Sequence, residues 1–343
     1  MYPKTTKKLE EKMNQGVFPG AVYTFIEGKQ EQTSTIGLAQ VEPASHPMHE
    51  NAIFDVASLT KVICTTTVML RLWEKGKFDW DQPLQTLLPN FQDSRITLRH
   101  LLTHTSDIQT YIPNRDKLNA QELRAAYLTL KSGEYLGQQV KYTDAGTILL
   151  GFLLEHWYQK DVVAVFREEI LQPLSMTHSC FLPTVIDDRF VPTEKLADGT
   201  ILRGITHDPK ARVLAKHAGN AGLFTNMEDL KKFTQMYLNF GSVNGKIYLH
   251  ESTINFLLSD RTPSGKGERS IGWDLKVSPV DQEPLLFHTG YTGTFMLVDP
   301  MKQSAFLFLS NRVHPQDDRS EYLRQRDDIL ATYLAERAAL YQK

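Results

Sequence analysis

The segment FDVASLTKVI at residues 54–63 places Ser58 three residues before Lys61, where an apolar stretch with the pattern of a helix begins. Residues at positions i and i+3 share one face of a helix, so we expect the Lys61 amine beside the Ser58 hydroxyl. A serine hydroxyl is a weak nucleophile until a neighbour takes its proton, and a lysine whose pKa is lowered by burial can take it. The segment therefore indicates a nucleophile and its base, although Ser-x-x-Lys alone is common in a chain of 343 residues.

Two further elements follow this pair in the chain. Tyr142-Thr143-Asp144 stands before the apolar run at residues 148–154, and His288-Thr289-Gly290 opens a segment with the pattern of a strand, TFMLV at residues 294–298. Ser-x-x-Lys followed by Ser-Asp-Asn and Lys-Thr-Gly is typical of penicillin-binding proteins and class A β-lactamases. The order found here resembles the related branch with Tyr-x-Asn, the β-lactamase-related serine hydrolases, which includes class C β-lactamases, D,D-peptidases and esterases.

The resemblance to this family extends from about residue 20 to the C-terminal helix. It is carried by five longer stretches, at residues 78–91, 96–106, 207–211, 218–225 and 310–315. The family implies an α+β fold in which an antiparallel β-sheet is built from both chain ends, flanked by helices, with a mostly helical inserted subdomain.

The local patterns of the chain agree with this layout. The stretches at residues 21–26 and 31–36 flank the turn Glu27-Gly28-Lys29-Gln30 and predict a β-hairpin, and residues 268–311 return to strands. Between them, from residue 76 to about 200, the pattern is helical, and a last helix is predicted at 320–341. We predict one catalytic domain over residues 1–343, with an α/β part at 1–75 and 205–343 and a helical part at 76–204.

Composition and charge argue against a nucleic-acid-binding protein and against a disulfide-bonded one. The chain is 41% apolar and 23% charged, and its formal net charge is −2, so nothing in it indicates binding to nucleic acid. The cysteines, Cys64 and Cys180, are far apart, and Cys64 lies in the apolar helix behind Ser58, so no disulfide is expected.

The first residues, MYPKTTKKLEEKM, are charged and contain no apolar core of a signal peptide. No stretch approaches the length of a membrane span. As written, the chain is expected in the cytoplasm, and outside it if a leader is missing from the sequence. Many relatives that act on the cell wall are exported, so the compartment stays open.

The resemblance implies a role for each matching residue. Ser58 is the acylating nucleophile, Lys61 and Tyr142 share its proton, and the backbone N–H groups of Ser58 and Tyr291 form the oxyanion hole. Substrate-binding positions are expected at Asp144, His288, Thr289, Gly290 and Tyr291. No cofactor and no metal are expected.

Two of these positions depart from the family's commoner residues. Asp144 stands where Asn is usual; an ionised carboxylate there can pair with Lys61 and hold it charged, which moves the role of base toward Tyr142. His288 stands where many relatives have Lys. Histidine is mostly neutral at pH 7, so recognition of a substrate carboxylate is expected to be weaker and a neutral ester or amide gains weight.

Several histidines outside these motifs also suggest sites. His100 and His104 have a helical spacing that suits a metal, but no third ligand and no adjacent glutamate accompany them, and in the family this block is structural. His207, His217 and Asn220 are candidates for the lining of the cleft.

The predicted function is a serine hydrolase that works through an acyl-enzyme on an ester, an amide or a D-amino-acid peptide, as in a penicillin-binding-protein-like D,D-carboxypeptidase or an esterase. Its substrate is expected to be a small molecule or of peptidoglycan type. Two alternatives stay open: a non-catalytic, penicillin-sensor-like binding protein and a weak class C-type β-lactamase. Deacylation of a β-lactam needs a placed water that no motif guarantees.

Overall fold

The computed structural model describes residues 1–341. Its centre is a seven-stranded sheet with the order β3-β2-β1-β12-β11-β10-β9. Neighbouring strands in this sheet are antiparallel throughout. The strands of the chain are β1 (Gly20–Glu27), β2 (Gln30–Gln40), β3 (His46–Pro47), β4 (Phe54–Asp55), β5 (Cys180–Phe181), β6 (Leu223–Thr225), β7 (Ser242–Val243), β8 (Lys246–Ile247), β9 (Asp274–Val277), β10 (Pro284–Gly290), β11 (Thr294–Asp299) and β12 (Ser304–Ser310).

The two ends of the chain meet in the middle of this sheet. β1 pairs with β12 over seven residues, from Ala21 opposite Ser310 to Glu27 opposite Ser304. The hairpin of β1 and β2 and the three consecutive strands β10, β11 and β12 lie where the sequence predicted strands. The predicted α+β fold with an antiparallel sheet from both chain ends is confirmed.

The central strands β1, β11 and β12 are buried on both faces. Successive side chains of a strand point to opposite faces, so each of these strands contributes to two apolar clusters. In β11, Phe295 and Leu297 belong to one apolar cluster, and Met296 and Val298 belong to the other. The first cluster is rich in aromatic rings and is covered by the N-terminal and C-terminal helices. The second is the larger core and is shared with the other helices.

Most helices of the chain lie between β4 and β9. The α-helices are α1 (Pro3–Asn14), α2 (Thr67–Glu74), α3 (Leu84–Leu87), α4 (Leu98–Leu102), α5 (Ala120–Leu128), α6 (Ala145–Tyr158), α7 (Val162–Phe166), α8 (Pro209–Leu214), α9 (Met227–Leu238), α10 (Glu251–Leu257) and α11 (Arg319–Tyr341). Shorter 3₁₀ turns occur at Arg115–Lys117 and Ala215–His217, and π-helical turns at Lys61–Thr66 and Arg167–Leu171. Across residues 1–341, no helix combines the length and the apolar character that a membrane crossing requires.

The helical region ends earlier than the sequence pattern indicated. After the turn at Arg167–Leu171, residues 182–208 form neither helix nor strand. This stretch contains Pro183 and Pro192, which lack the N–H that a helix interior needs, and several turn-forming residues. Its irregular backbone brings residues 207 and 208 to the edge of the candidate site.

Candidate active site

Ser58 and Lys61 lie at the junction of β4 with the helix that follows it. The chain turns at Ala57, whose φ of 45° is in the left-handed region, and the Lys61 N–H donates to the Ser58 carbonyl at 3.0 Å. The Lys61 Nζ donates a hydrogen bond to Ser58 Oγ at 2.7 Å. Lys61 is buried, with 1% of its surface exposed, whereas Ser58 is half-buried and open to the cleft.

The helix behind Ser58 is not the continuous α-helix that the sequence predicted. Residues 61–66 form π-helical turns, and regular α-helix begins only at Thr67. The Thr67 hydroxyl donates to the Val62 carbonyl at 2.8 Å, five residues back, and the Thr65 hydroxyl donates to the Gly219 carbonyl at 2.5 Å. Periodicity in sequence does not separate these two forms, and π-turns are frequent at functional sites.

Asp144 holds Lys61 in its charged form. Its Oδ1 lies 2.7 Å from Lys61 Nζ. Burial alone would lower the pKa of Lys61, but the charge of Asp144, together with the Tyr142 phenol, raises it above its usual range. Burial likewise opposes ionisation of Asp144, and the two cations Lys61 and Lys210 nevertheless hold its pKa below its usual range. The expectation of a lysine whose pKa is lowered by burial was therefore wrong, and Lys61 is an ammonium that donates to Ser58.

Tyr142 lies beside this ammonium, with 48% of its surface exposed to the cleft. Its ring stacks on that of His104 at a centroid distance of 4.3 Å. Two cations face the ring: Lys61 Nζ is 5.3 Å and Arg269 Cζ is 5.9 Å from its centroid. A group that exchanges protons with Ser58 needs this combination of contact with Lys61 and access to the substrate.

His288 forms the inner wall of the site on β10 and is 3% exposed. Its ring lies 6.2 Å from that of Tyr142 and 6.5 Å from that of Trp273, and within residues 1–341 neither of its nitrogens has a hydrogen-bond partner. Burial, reinforced by the charges of Lys61 and Arg269, lowers the pKa of His288 well below its usual range. The side chain is therefore neutral at pH 7.

The end of β10 is tied directly to the segment that carries Ser58. The Thr292 hydroxyl donates to the Asp55 carbonyl at 2.6 Å, and the Thr294 hydroxyl donates to the Val56 carbonyl at 3.3 Å. Tyr291 is the first residue beyond the strand, and within residues 1–341 neither its N–H nor that of Ser58 donates to another protein group. Two free N–H donors beside a nucleophile suit an oxyanion hole.

The hydroxyl, the backbone carbonyl and the ring of Tyr291 each contact another residue. Its hydroxyl donates to Asp317 Oδ2 at 2.6 Å, its carbonyl accepts two hydrogen bonds from the Arg312 guanidinium, and Arg312 also pairs with Asp317. Its ring stacks on His207 at 5.5 Å. These contacts fix the backbone that carries the second N–H donor.

The remaining histidines and Asn220 lie in different surroundings. The backbone carbonyl of Asn220 accepts a hydrogen bond from Lys61 Nζ at 3.1 Å, so Asn220 belongs to the site. His207 belongs to it through its stack on Tyr291.

His217 lies outside the site. Its Nδ1 is 2.6 Å from Glu155 Oε1, at a separate cavity that Asp161 also lines, so the prediction that His217 lines the cleft was wrong. His100 accepts from the Thr97 N–H at 3.1 Å in a helix cap. The pair of His100 and His104 is thus divided between a cap and the stack on Tyr142.

Groups of histidine and carboxylate close enough to share an ion occur at Glu155, Asp161 and His217 and at His178, Glu228 and Asp229. Both groups already pair with cationic side chains, the first with Arg124 and Lys216 and the second with Lys232. Both lie outside the Ser58 site.

Sequence reasoning missed two cations of the site, Lys210 and Arg269. Lys210 Nζ contacts Asp144 Oδ2 at 2.7 Å, and Arg269 packs beside Tyr142 with its Nη1 3.3 Å from Asp274 Oδ1. Lys210 stands in the stretch His207-Asp208-Pro209-Lys210-Ala211, which carried the family resemblance and in which only His207 was given a role, as a candidate for the lining of the cleft. A carboxylate at position 144 in place of an amide was the signal that a second cation would be needed.

Replacing Gly290 with alanine is expected to lower kcat/KM by about 10²-fold, since a displacement of about an ångström at a catalytic group has that cost. A Cβ at this position would overlap the Thr294 hydroxyl and the Val56 carbonyl oxygen, which lies two residues before Ser58. Steady-state hydrolysis of a p-nitrophenyl ester measures the change. Gly28→Ala, at a remote turn with φ of 57° and open space, is the control: it strains the backbone but should leave kcat/KM unchanged.

The free energy of unfolding is expected to fall as the pH drops below about 6.5, the usual pKa of an unfolded histidine. Burial lowers the pKa of both His104 and His288 in the folded protein, and the charges of Lys61 and Arg269 lower it further. Below pH 6.5 the unfolded chain therefore binds more protons, and each histidine costs up to about 1.4 kcal/mol per pH unit. Urea unfolding at pH 7, 6 and 5 measures this slope.

His288→Asn should reduce that slope, and His250→Asn should not, because the His250 side chain is 58% exposed. An identical slope in wild type and His288→Asn would contradict the burial of a neutral histidine at this position.

Comparison with known proteins identifies the family of the chain. The Beta-lactamase family model matches residues 5–331. The chain is 26% identical to the N-acetylmuramyl-L-alanine amidase of Bacillus subtilis (strain 168), over 91% of this chain and 82% of the relative. In fold it is similar to a Beta-Lactamase/D-Alanine Carboxypeptidase from Pseudomonas syringae (TM-score 0.74, 17% identity, 95% of this chain and 97% of that one) and to a class C β-lactamase (TM-score 0.73, 18% identity, 96% of each). Together with the Ser58 site, the family match over nearly the whole length shows that the chain belongs to the β-lactamase family of serine hydrolases.

Proposed function

We propose that this hydrolase forms an acyl-enzyme on Ser58, with Tyr142 as the general base, and that it cleaves an amide bond in a peptidoglycan-type peptide. The observation that carries the proposal is the 2.7 Å hydrogen bond from Lys61 Nζ to Ser58 Oγ, made by a lysine that Asp144 keeps charged. An ammonium orients the hydroxyl and stabilises the alkoxide but has no free electron pair to accept the proton.

The Tyr142 phenol is the group left to exchange that proton. The Lys61 ammonium stabilises negative charge on the phenol oxygen, because a nearby positive charge favours the anion. As a phenolate, Tyr142 accepts the Ser58 proton while Ser58 Oγ bonds to the substrate carbonyl carbon.

The tetrahedral intermediate then places its oxyanion at the N–H groups of Ser58 and Tyr291. Each donor is expected to contribute about 3–4 kcal/mol to lowering the barrier. The carbon–nitrogen bond breaks, the leaving amine takes the proton from Tyr142, and the acyl group stays on Ser58. In deacylation, Tyr142 accepts a proton from a water molecule while the water oxygen bonds to the acyl carbon. The bond between the acyl carbon and Ser58 Oγ then breaks, and Tyr142 returns the proton to Ser58 Oγ.

Two considerations support an amide of peptidoglycan type. The Bacillus subtilis relative, which aligns with 91% of this chain, is named as an amidase of N-acetylmuramyl-L-alanine. The inner wall of the site is a neutral, buried His288 rather than a permanent cation, so the strand that ends at Gly290 offers little to a terminal carboxylate. An amide within the peptide therefore fits better than one next to a free C-terminal carboxylate.

A second candidate substrate, an uncharged short-chain ester, is favoured by the same neutral His288. Esters need no recognition of a carboxylate and have a better leaving group. The same acyl-enzyme would form, and only the acyl and leaving groups would differ.

The test is intact-mass spectrometry of the protein after exposure to a panel: N-acetylmuramyl-L-alaninamide, whose muramyl amide is not next to a free carboxylate, a D-Ala-D-Ala peptide, a short p-nitrophenyl ester, nitrocefin and a fluorescent penicillin. We expect a mass increase on Ser58 equal to the acyl group, turnover of the muramyl amide and the ester, and slow or no turnover of nitrocefin. Faster release of terminal D-Ala than of the muramyl amide would replace the proposed substrate with a D,D-carboxypeptidase one. Lasting penicillin labelling with no turnover of any substrate would replace the enzyme by a penicillin-sensor-like protein.

A further inference from the structure

The Asp144 carboxylate lies between two lysines. Oδ1 is 2.7 Å from Lys61 Nζ and Oδ2 is 2.7 Å from Lys210 Nζ. The Lys210 side chain is 19% exposed and the Asp144 side chain 22% exposed, so both ion pairs are largely removed from solvent. One carboxylate charge is thus divided between the lysine that contacts Ser58 and a lysine from α8.

These contacts continue into a closed circuit. Lys210 Nζ lies 3.1 Å from Asp208 Oδ2, and Asp208 Oδ1 accepts a hydrogen bond from Asn220 Nδ2 at 3.1 Å. The backbone carbonyl of Asn220 accepts a hydrogen bond from Lys61 Nζ at 3.1 Å, which closes the circuit. Asp208 is fixed in turn, because its Oδ1 also caps α8 by accepting from the Ala211 N–H at 2.8 Å. We name these five residues, Lys61, Asp144, Lys210, Asp208 and Asn220, the lysine–aspartate circuit.

With two lysines and two aspartates, the circuit is neutral as a whole. Removing Lys210 alone leaves one excess negative charge and gives Lys61 the undivided charge of Asp144. Removing the Asp144 charge alone leaves two ammonium groups that face each other across a neutral amide. Both changes place an unbalanced charge at a site with little access to water, where its cost is high.

We propose that Lys210 is a positioning residue for the reaction at Ser58: through Asp144 and Asp208 it fixes the position and charge balance of Lys61, and the two residues 144 and 210 function as a pair. This inference rests on the proposed acyl-enzyme at Ser58. It assigns Lys210 no contact with substrate. It also explains how an aspartate can replace the commoner asparagine at position 144. The negative charge of the carboxylate is balanced by two cations, whereas a neutral amide would need no second cation.

Replacing both residues together restores neutrality. In Asp144→Asn combined with Lys210→Met, Lys61 and Asp208 remain as one cation and one anion, and the amide at 144 can still accept from Lys61. The double variant should therefore be less impaired than either single variant, which is the reverse of what two independent defects would give.

The experiment measures the second-order rate constant for labelling of Ser58 by a fluorophosphonate probe, in Lys210→Met, Asp144→Asn and the double variant. We expect each single change to slow labelling by about 10- to 100-fold, the cost of misplacing a reacting group by about an ångström. The double variant should recover to within about 10-fold of wild type on the same scale. Lys231→Met is the matched control, because Lys231 is 20% exposed and pairs with Glu31 at 2.8 Å far from Ser58. It should label at the wild-type rate.

A pH series of the same labelling rates separates positioning from loss of structure. Around Lys61 the titratable or charged groups are Asp144, Tyr142, His104, His288 and Arg269, and around Lys210 they are Asp144, Asp208 and Tyr127. Lys210→Met should move the alkaline limb of the profile to higher pH, since Asp144 then holds Lys61 charged more firmly, and Asp144→Asn should move it to lower pH. A purely structural defect would lower the melting temperature and the amplitude without moving either limb.

The outcomes are distinct. Wild-type protein that fails to label overturns the proposed function and this inference with it. Wild-type protein that labels while Lys210→Met behaves like Lys231→Met overturns the inference alone. So does a double variant whose defect equals the product of the two single defects.

Discussion

Ser58→Ala is expected to lower kcat/KM for the muramyl amide and for p-nitrophenyl esters by at least about 10⁴-fold, because the nucleophile is lost while the rest of the site remains. The side chain is small and half-buried, and its Oγ accepts one hydrogen bond, from Lys61. The folded structure should therefore survive. Steady-state kinetics and intact-mass labelling of the same preparation measure the effect.

Ser259→Ala is the control for this change, since Ser259 is also half-buried and donates a single hydrogen bond, to the Phe256 carbonyl at 3.4 Å. It should keep wild-type kinetics. Retained turnover in Ser58→Ala, with an adduct on another residue, would move the nucleophile elsewhere and end the assignment.

Tyr142→Phe is expected to lower kcat by about 10²- to 10⁴-fold, the usual contribution of a general acid–base group. The ring keeps its stack on His104 and its place beside Lys61, so the variant removes little besides the hydroxyl. Because the phenol serves in both acylation and deacylation, pre-steady-state kinetics should show both steps slowed.

Tyr135→Phe is a close control, because Tyr135 precedes Tyr142 on the same connection before α6 and is 51% exposed, against 48% for Tyr142. It should leave kcat unchanged. If Tyr142→Phe retained wild-type kcat, the proton would have to go to Lys61, and the charged state assigned to that lysine would be contradicted.

The elements that carry a regular apolar pattern were predictable from the sequence. α6 spans Ala145–Tyr158 and contains the apolar run at residues 148–154, and ten of its residues are buried. β11 and β12 were evident as short apolar runs separated by an Asp-Pro turn, and the hairpin of β1 and β2 as two stretches that flank a turn at Gly28. Their pairing into one sheet followed from the family resemblance.

The electrostatic state of the site was harder to predict, because it depends on groups brought together from distant parts of the chain. Asp144 keeps Lys61 an ammonium, and the same carboxylate contacts Lys210. Neither sequence distance nor residue type shows that these groups reach the same place. His217 is the opposite case, a residue close to the site in sequence but outside it in the structure. It lies near Asn220 in sequence, but a 3₁₀ turn at residues 215–217 directs it to Glu155.

The π-helical turns at Lys61–Thr66 make the length of this segment as important as its composition. A π-turn accommodates one residue more than an α-turn does, so a chain shortened by one residue here could rewind as ordinary α-helix. The part before the deletion would then rotate by about 100° relative to α2, the angle between successive residues in an α-helix. Such a rotation would take the Lys61 amine away from Asp144 while leaving the apolar residues of the segment chemically intact. Insertions or deletions at 62–66 would thus inactivate the protein even where conservative point substitutions are tolerated. In a deletion scan, this segment should therefore tolerate a change of length less well than a change of residue.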